Sequence, residues 1–356
     1  MKTLEVGATN TYRVTVGKGA RSMLAKELDA SVSKVLIVCA GVMQKDAEKL
    51  RESLLDSFEV YIVELPDAED AKRVEIAAFC WEILGQKDFT RSDAIVTLGG
   101  GSTTDLGGFV AATWLRGVKV VHLPTTVLAA VDAAIGGKTG INTTEGKNLV
   151  GAFHNPSAVL VDTDYLLTLP ENELRSGFAE VAKSGFIKDV TILNDLNERI
   201  DEAINPETDL FVDLIHRAIV VKAEVVAEDF RETGQRETLN YGHTLGHAIE
   251  HAERYRWRHG AAISIGMIFA AELSRLTRSL TDAEVELHRT ILGERLGLPI
   301  VYPADRFNAL RKTMQRDKKA RGSSLRFVLL DAIGRPIVSS VPDESIMFTA
   351  YSEIAD

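Results

Sequence analysis

Apolar residues change rhythm about halfway along this chain. Up to about residue 165 they come in short runs rich in Val and Ile, in KVLIVCA, EVYIVEL, DAIVTL, KVVHLP and AVLVD, and between several of these lie segments with helical spacing such as MQKDAEKLRESLLDS. Strands that are apolar at nearly every position are buried on both faces, and their alternation with helices predicts a mostly parallel, Rossmann-like sheet. Beyond Pro170 the spacing becomes helical throughout. Leu210, Leu214, Ala218, Val221 and Val225 mark one stripe of a helix, and ENELRSGFAEVAKSGFIKD and TDAEVELHRTILGERLG read the same way. A small hairpin is expected near the end, in RFVLLDAIGRPIVSS. The pattern predicts an α/β N-terminal domain over residues 1–168 and a mainly α-helical C-terminal domain over residues 169–356. No internal repeat or low-complexity segment stands out.

Composition adds limits to this picture. The chain has 356 residues, 45% of them hydrophobic, enough for two domains with buried cores. It carries 41 basic against 51 acidic residues, a net charge of −10, which argues against nucleic acid or an anionic membrane as partner and for a small molecule. An anionic ligand would need positive charge gathered locally, so lysines in polar pockets become informative. Cys39 and Cys80 are too few for a disulfide framework and read as reduced core thiols. The N-terminus lacks an apolar signal region, and the longest apolar run, AAISIGMIFAA at 261–271, is too short to span a bilayer; a cytoplasmic location is expected.

Two glycine-rich stretches suggest phosphate chemistry. In DAIVTLGGGSTTDLGGFVAA a strand ends in Gly99, Gly100 and Gly101, and Ser102 and Thr103 open a helix, an arrangement that lets backbone N–H groups approach a phosphate. It is not G-x-G-x-x-G, because Thr104 stands at the last glycine position. AAIGGKTG is not a P-loop either, because Asp132 occupies the position of the first glycine. What remains is a polar segment carrying Asp132, Lys138, Lys147 and Asn148.

Four of the eight histidines lie within residues 239–260. His243 and His247 are one helical turn apart and could face one ion, whereas His251 lies about 12 Å along the axis from His243, at about 1.5 Å per residue, and could not share it. A further ligand must come from elsewhere: His259, brought back by a turn, or Glu180 or Glu173 from an earlier helix. Thr244 replaces the base of the H-E-x-x-H motif, which favours a metal that does not hydrolyse peptides. Lys183, Lys222, Arg236 and Asn240 add a candidate cationic pocket, and QRDKKARG near 315 reads as a solvated face.

PDAEDAK, GGGSTTDLGGFVAAT, LPTTVLAAVDAAIGGKTGIN, GKNLVGAF, SGFAEVAKSGFI and LNYGHTLGHAIE followed by HG, in this order between about residues 60 and 320, resemble the 3-dehydroquinate synthase family of sugar-phosphate cyclases. The resemblance implies an NAD-binding α/β domain, a helical metal domain and an active site in the cleft between them. It implies NAD contacts at Asp67, Glu69, Lys72, Gly100, Gly101, Ser102, Asp105, Thr125, Thr126, Leu128, Lys147, Thr168 and Leu169. One divalent metal, zinc or cobalt, falls to Glu180, His243 and His259, which makes His247 a neighbour of the substrate in place of the i, i+4 chelate. Substrate contacts fall on Asp132, Lys138, Asn148, Lys183, Lys222, Arg236, Asn240 and Lys318, with Lys138 and His247 as orienting groups or proton shuttles. Arg116 would reach across the interface of a homodimer. Ala68, where the family commonly has glycine, and the trio Ser102, Thr103 and Thr104 depart from the pattern.

The implied reaction converts 3-deoxy-D-arabino-heptulosonate 7-phosphate to 3-dehydroquinate and phosphate. It runs through transient oxidation by NAD, phosphate elimination, reduction, ring opening and aldol closure. A carboxylate and a phosphate on one substrate account for the lysine set in an acidic chain. Three alternatives remain at this point: a cyclase for a different heptulose phosphate, an iron-type NAD-dependent polyol dehydrogenase, and a descendant that only binds NAD. Asn240 and Lys318 lean toward the dehydroquinate member.

Overall fold

The structure, a computed structural model, describes residues 1–7, 11–231, 234–321, 325–340 and 343–356, and of residues 316–321 the helical backbone only. The chain forms two compact units, Met1–Leu169 with Lys222–Phe230, and Pro170–Val221 with Arg231–Asp356. The sequence division at 168/169 left Lys222–Phe230 with the second domain. That segment belongs to the first unit, where Lys222 Nζ donates to both the carbonyl and the carboxylate of Asp132.

In the first unit β1 (Lys2–Val6), β2 (Tyr12–Val16), β3 (Lys34–Ala40), β4 (Glu59–Leu65), β5 (Ala94–Gly99) and β6 (Lys119–Pro124) precede a separate hairpin of β7 (Lys138–Thr143) and β8 (Gly146–Phe153), and β9 (Ala158–Val161) follows. The main sheet has the order β1-β2-β9-β6-β5-β3-β4, parallel throughout except for the edge pair β1–β2. β3 shows why its sequence is apolar at every position. Val35, Ile37 and Cys39 pack against Met43, Ala47, Leu50 and Leu54 beneath the helix Gln44–Leu54. Leu36 and Val38 face Ala77, Cys80 and Leu84 of the helix Val74–Gln86 and Leu106 and Val110 of the helix Gly101–Thr113. Both faces are therefore covered, as a parallel sheet requires. Burial pushes the Cys39 thiol up to about 11 and the Cys80 thiol up to about 12, which keeps both protonated and inert.

Sheet order fixes where a ligand can enter. From β3 the chain crosses outward to β4, then returns to β5 on the opposite side of β3 and continues to β6, so the loops leaving β3 and β5 diverge. Such a switch point opens a crevice at the carboxyl ends of the strands.

The second unit is built from helices, among them Glu171–Ile187, His243–Ala252, His259–Thr277 and Asp282–Arg289, with an antiparallel hairpin of β10 (Arg326–Ala332) and β11 (Arg335–Ser340). His259–Thr277 is long and apolar enough to cross a bilayer, but 78% of its apolar window is buried among its neighbours, so it serves as the core of this unit.

Each unit buries one neutral imidazole apart from His243 and His259. His122 on β6 shares a 2.8 Å hydrogen bond between Nδ1 and the Thr97 hydroxyl on β5, and burial pushes its pKa down to about 3. His288 stacks on Phe186 at 3.7 Å, pairs through Nε2 with the Tyr241 hydroxyl at 2.9 Å, and burial pushes it down to about 4 against the pull of Glu284. Both folded values lie below that of the unfolded chain, so below about pH 6.5 the unfolded state takes up protons that the native state refuses. Stability should be full above pH 6.5 and fall by about 1.4 kcal/mol per pH unit for each imidazole as the pH drops toward 4. Denaturant midpoints measured between pH 7 and pH 5 test this, and His122→Asn should remove about one proton from the slope; an unaltered slope in that variant would contradict the assignment.

Candidate functional site

Glu180 lies within the helix Glu171–Ile187, while His243 and His259 are the first residues of their own helices. One ligand atom from each of the three falls within 4.8 Å of the others. His243 Nε2 is 3.7 Å and His259 Nε2 3.5 Å from Glu180 Oε1. Donors about 2 Å from a common ion in tetrahedral array stand roughly 3.3 Å apart, so the spacing fits a divalent cation. The other ring nitrogens are held from outside: Tyr241 O lies 3.0 Å from Nδ1 of His243, and Glu250 Oε1 lies 3.2 Å from Nδ1 of His259. With Nδ1–H donating outward, each Nε2 lone pair would be left for a bound cation, which would take the place of any proton shared with Glu180. Lys183 pairs with Glu180 Oε2, leaving Oε1 toward the imidazoles.

Glycines bring these helices together. A Cβ on Gly260, next to His259, would stand 1.9 Å from the backbone oxygen of Ser176, one turn before Glu180. A Cβ on Gly266 would stand 1.9 Å from Gly242 O, and Gly242, next to His243, has φ +80 with Met267 N 2.8 Å from its Cβ position. Backbone thus lies on backbone at both contacts, where any side chain would push a ligand out of reach.

Electrostatically the cluster is divided. Burial, with Lys183 adding to it, holds His243 well below its ordinary pKa. Burial acts downward on His259 as well, but hydrogen bonds to Glu180 and Glu250 carry it up to about 10.

His247, one turn from His243, is 47% exposed in its side chain and stands edge-on to the His243 ring at 5.2 Å, outside the three-residue cluster. Glu173, the other carboxylate weighed from sequence, accepts from Arg258 at 2.7 Å instead. His251 is exposed beside the Tyr255 ring. Arg236 is buried and Asn240 half-buried in the 3-10 turn Gln235–Asn240, ahead of His243. The side chain of Lys318 lies outside the described residues.

In the first unit, the residues expected at the cofactor follow the carboxyl ends of parallel strands. Asp67, Glu69 and Lys72 follow β4, Gly100, Gly101, Ser102 and Asp105 follow β5, and Thr125, Thr126 and Leu128 follow β6. Lys72 donates to Asp105 at 2.6 Å and to Asn148, and Lys147 pairs with Glu69 at 3.0 Å, so β8 is tied to the turn after β4, and that turn to the helix after β5. Burial raises the Asp105 carboxyl in spite of Lys72, whereas for Glu69 the opposing charges of Lys147 and Lys72 outweigh burial and lower it. Thr125 N donates to Gly99 O at 2.9 Å, and the Cβ position of Gly100 lies 3.3 Å from the Thr126 methyl. Thr168 and Leu169 end the first stretch of that unit, the Thr168 hydroxyl donating to Tyr165 O at 3.3 Å. Lys138 opens β7, exposed. Asp132 sits in the π-helical turn Ala129–Ala133. Arg116 is exposed with φ 67.

Glu250 escaped the sequence reading. It follows His243 and His247 at i+7 and i+3, on the same helical stripe, and that phase was the available signal.

Two solved structures share this architecture. 2-Deoxy-scyllo-inosose synthase, in complex with carbaglucose-6-phosphate, NAD+ and Co2+, superposes with a TM-score of 0.87 at 25% identity over 99% of this chain and 100% of that one. ValA, the 2-epi-5-epi-valiolone synthase of Streptomyces hygroscopicus subsp. jinggangensis 5008 with NAD+ and Zn2+ bound, superposes at 0.88 and 25% identity over 99% and 98%. The parallel sheet and the helical unit are therefore those of the sugar-phosphate cyclases. The N-terminal 3-dehydroquinate synthase family model matches residues 62–176 and the C-terminal one residues 177–320. A 3-dehydroquinate synthase of Leifsonia xyli subsp. xyli (strain CTCB07) is 58% identical over 98% of this chain and 97% of its own length. The chain belongs to the 3-dehydroquinate synthase family.

Two substitutions probe this geometry. Gly260→Ala should cost several-fold or more in metal affinity, read by chelator competition, because the new methyl pushes Gly260, and His259 beside it, away from the Ser176 backbone; affinity equal to that of the parent would refute the clamp. Ala68, at φ 49, occupies the left-handed region where an L side chain costs about 1–2 kcal/mol. Glycine relieves that strain but gains freedom in the unfolded chain, so Ala68→Gly should leave stability equal or raise it by up to about 1 kcal/mol in denaturant titration.

Proposed function

We propose that this protein converts 3-deoxy-D-arabino-heptulosonate 7-phosphate to 3-dehydroquinate and phosphate. The observation that carries the reading is the buried Glu180, His243 and His259 cluster, with ligand atoms within 4.8 Å, in a chain 58% identical to a named 3-dehydroquinate synthase along almost its whole length. Cyclases named for other products are similar in fold at 25% identity, which favours the dehydroquinate reaction over theirs. When bound, NAD supplies a hydride acceptor that is regenerated within the cycle, and a zinc or cobalt ion supplies a Lewis acid for the substrate's alcohol.

The chain's own groups then bind, orient and balance charge. Glu180, His243 and His259 hold the ion, and Lys183 offsets the second Glu180 oxygen. The Gly100–Gly101–Ser102 turn at the start of its helix receives the dinucleotide's phosphates, with Asp67, Glu69, Lys72, Asp105, Thr125, Thr126, Leu128, Lys147, Thr168 and Leu169 around it. Lys138, Lys222, Asp132, Asn148, Lys183, Arg236, Asn240, His247 and Lys318 contact the substrate. Their ammonium and guanidinium groups answer its carboxylate and phosphate within a chain of net charge −10. Lys138 and His247 serve as orienting groups or proton shuttles. The same reading makes the enzyme a cytoplasmic homodimer, with Arg116 completing the partner's site.

Incubation with the heptulosonate phosphate, a divalent metal and substoichiometric NAD should release phosphate and yield a carbocycle without accumulation of NADH. Stoichiometric NADH would instead indicate a dehydrogenase, and inertness toward this substrate alone would indicate a sister cyclase. His259→Ala should lose bound metal and turnover together while its circular dichroism stays native; full metal retention in that variant would refute the ligand assignment.

A further inference from the structure

We infer that Glu250 is a positioning residue of the metal centre, orienting His259 through its Nδ1; this rests on the metal reading above. Its side chain is only 11% exposed, with Oε1 3.2 Å from His259 Nδ1 and Oε2 4.0 Å from His247 Nε2. A carboxylate loses hydration when buried, and a second one, Glu180, already lies 3.5 Å from the opposite nitrogen of the same ring. Two acceptors flanking one imidazole are unfavourable unless a proton or a cation stands between ring and carboxylate on each side. An Nδ1–H bond to Glu250 satisfies one side and leaves the Nε2 lone pair for a cation shared with Glu180. The opposite tautomer would aim an N–H at the cation position and a lone pair at Glu250, setting like against like on both sides.

The two imidazole ligands differ in how they are held. His243 leans on a backbone carbonyl, Tyr241 O at 3.0 Å, which no substitution of residue 241 removes. His259 leans on a side chain. It also follows a loop in which Arg254 and Tyr255 both take positive φ, 53 and 57, and Tyr255 N donates to Glu250 O at 2.7 Å. Glu250 therefore holds the turn that leads to His259 by its backbone and the ring itself by its carboxylate.

Zinc affinity of metal-stripped protein, measured without substrate by competition with a chromophoric chelator, tests this directly. Glu250→Ala should bind Zn2+ about 10- to 100-fold more weakly than the parent, in the range for removal of an outer partner of a ligating histidine, with the apoprotein's melting temperature little changed. Glu250→Gln, whose amide oxygen can still accept from Nδ1, should recover part of the loss, and the visible spectrum of the Co2+ form should shift in Glu250→Ala. Equal zinc affinity in Glu250→Ala and parent would overturn the inference while leaving the ligand set standing. If the alanine variant does not fold, Glu250→Met, which fills similar volume without an acceptor, decides on the same readout. Parent protein that binds no zinc, or a His259→Ala variant that binds it as tightly as the parent, would sink the metal reading and this inference with it.

Discussion

Three donors can meet one cation only if the helices that carry them approach more closely than side chains ordinarily permit, and in this protein glycine backbone sets that approach. Helix axes usually pack 8–10 Å apart, at a spacing fixed by intervening side chains. Here the positions beside His259 and His243 lie against Ser176 O and the Met267 backbone, with no room for a Cβ. The Glu180 carboxylate then reaches both imidazoles without extending from its own helix, where it is 2% exposed. Metal affinity and helix packing are thus one constraint, and a change that loosens the packing also dilutes the site.

Charge is handled in the same local way. The chain is acidic, and three buried lysines among the described residues each pair with a carboxylate: Lys183 with Glu180, Lys222 with Asp132, Lys72 with Asp105. Such pairs add little to stability, because desolvation offsets the attraction. Their value lies in keeping ammonium groups ordered within the fold, ready for an anionic ligand that the net charge would repel.

Cyclases that share about a quarter of the residues keep the whole architecture, with TM-scores of 0.87 and 0.88. A parallel sheet with a switch point and a helical unit are common to synthases named for different products, so the fold does not select among them. Selection falls to side chains around the substrate, and there similarity along the entire chain to named 3-dehydroquinate synthases is the informative quantity.

Periodicity alone located β3, β4, β5, β6 and β9, because strands buried on both faces are apolar at every position, and it located the helices Glu171–Ile187, Asp209–Glu228 and Asp282–Arg289 and the β10–β11 hairpin, but not the helix His259–Thr277. It did not announce β1 and β2, since an edge pair carries polar residues such as Arg13 among its apolar ones. Nor did it announce β7 and β8, whose Gly140 and Gly151 meet with a Cβ position on Gly151 only 2.2 Å from Thr139 O and leave no alternating side chains to read. For the site, the helical phase of His243 and His247 was legible, and by itself it suggested the wrong pair. The residue order also marked out the family, and with it the set Glu180, His243 and His259. What only the tertiary structure supplies is the geometry: Glu173 turned to Arg258, His247 outside the three-residue cluster, and Glu250 Oε1 3.2 Å from His259 Nδ1. Periodicity fixes which residues share one helix face, but which faces meet is set by packing between helices distant in sequence, here by glycines whose role shows only once the backbones touch.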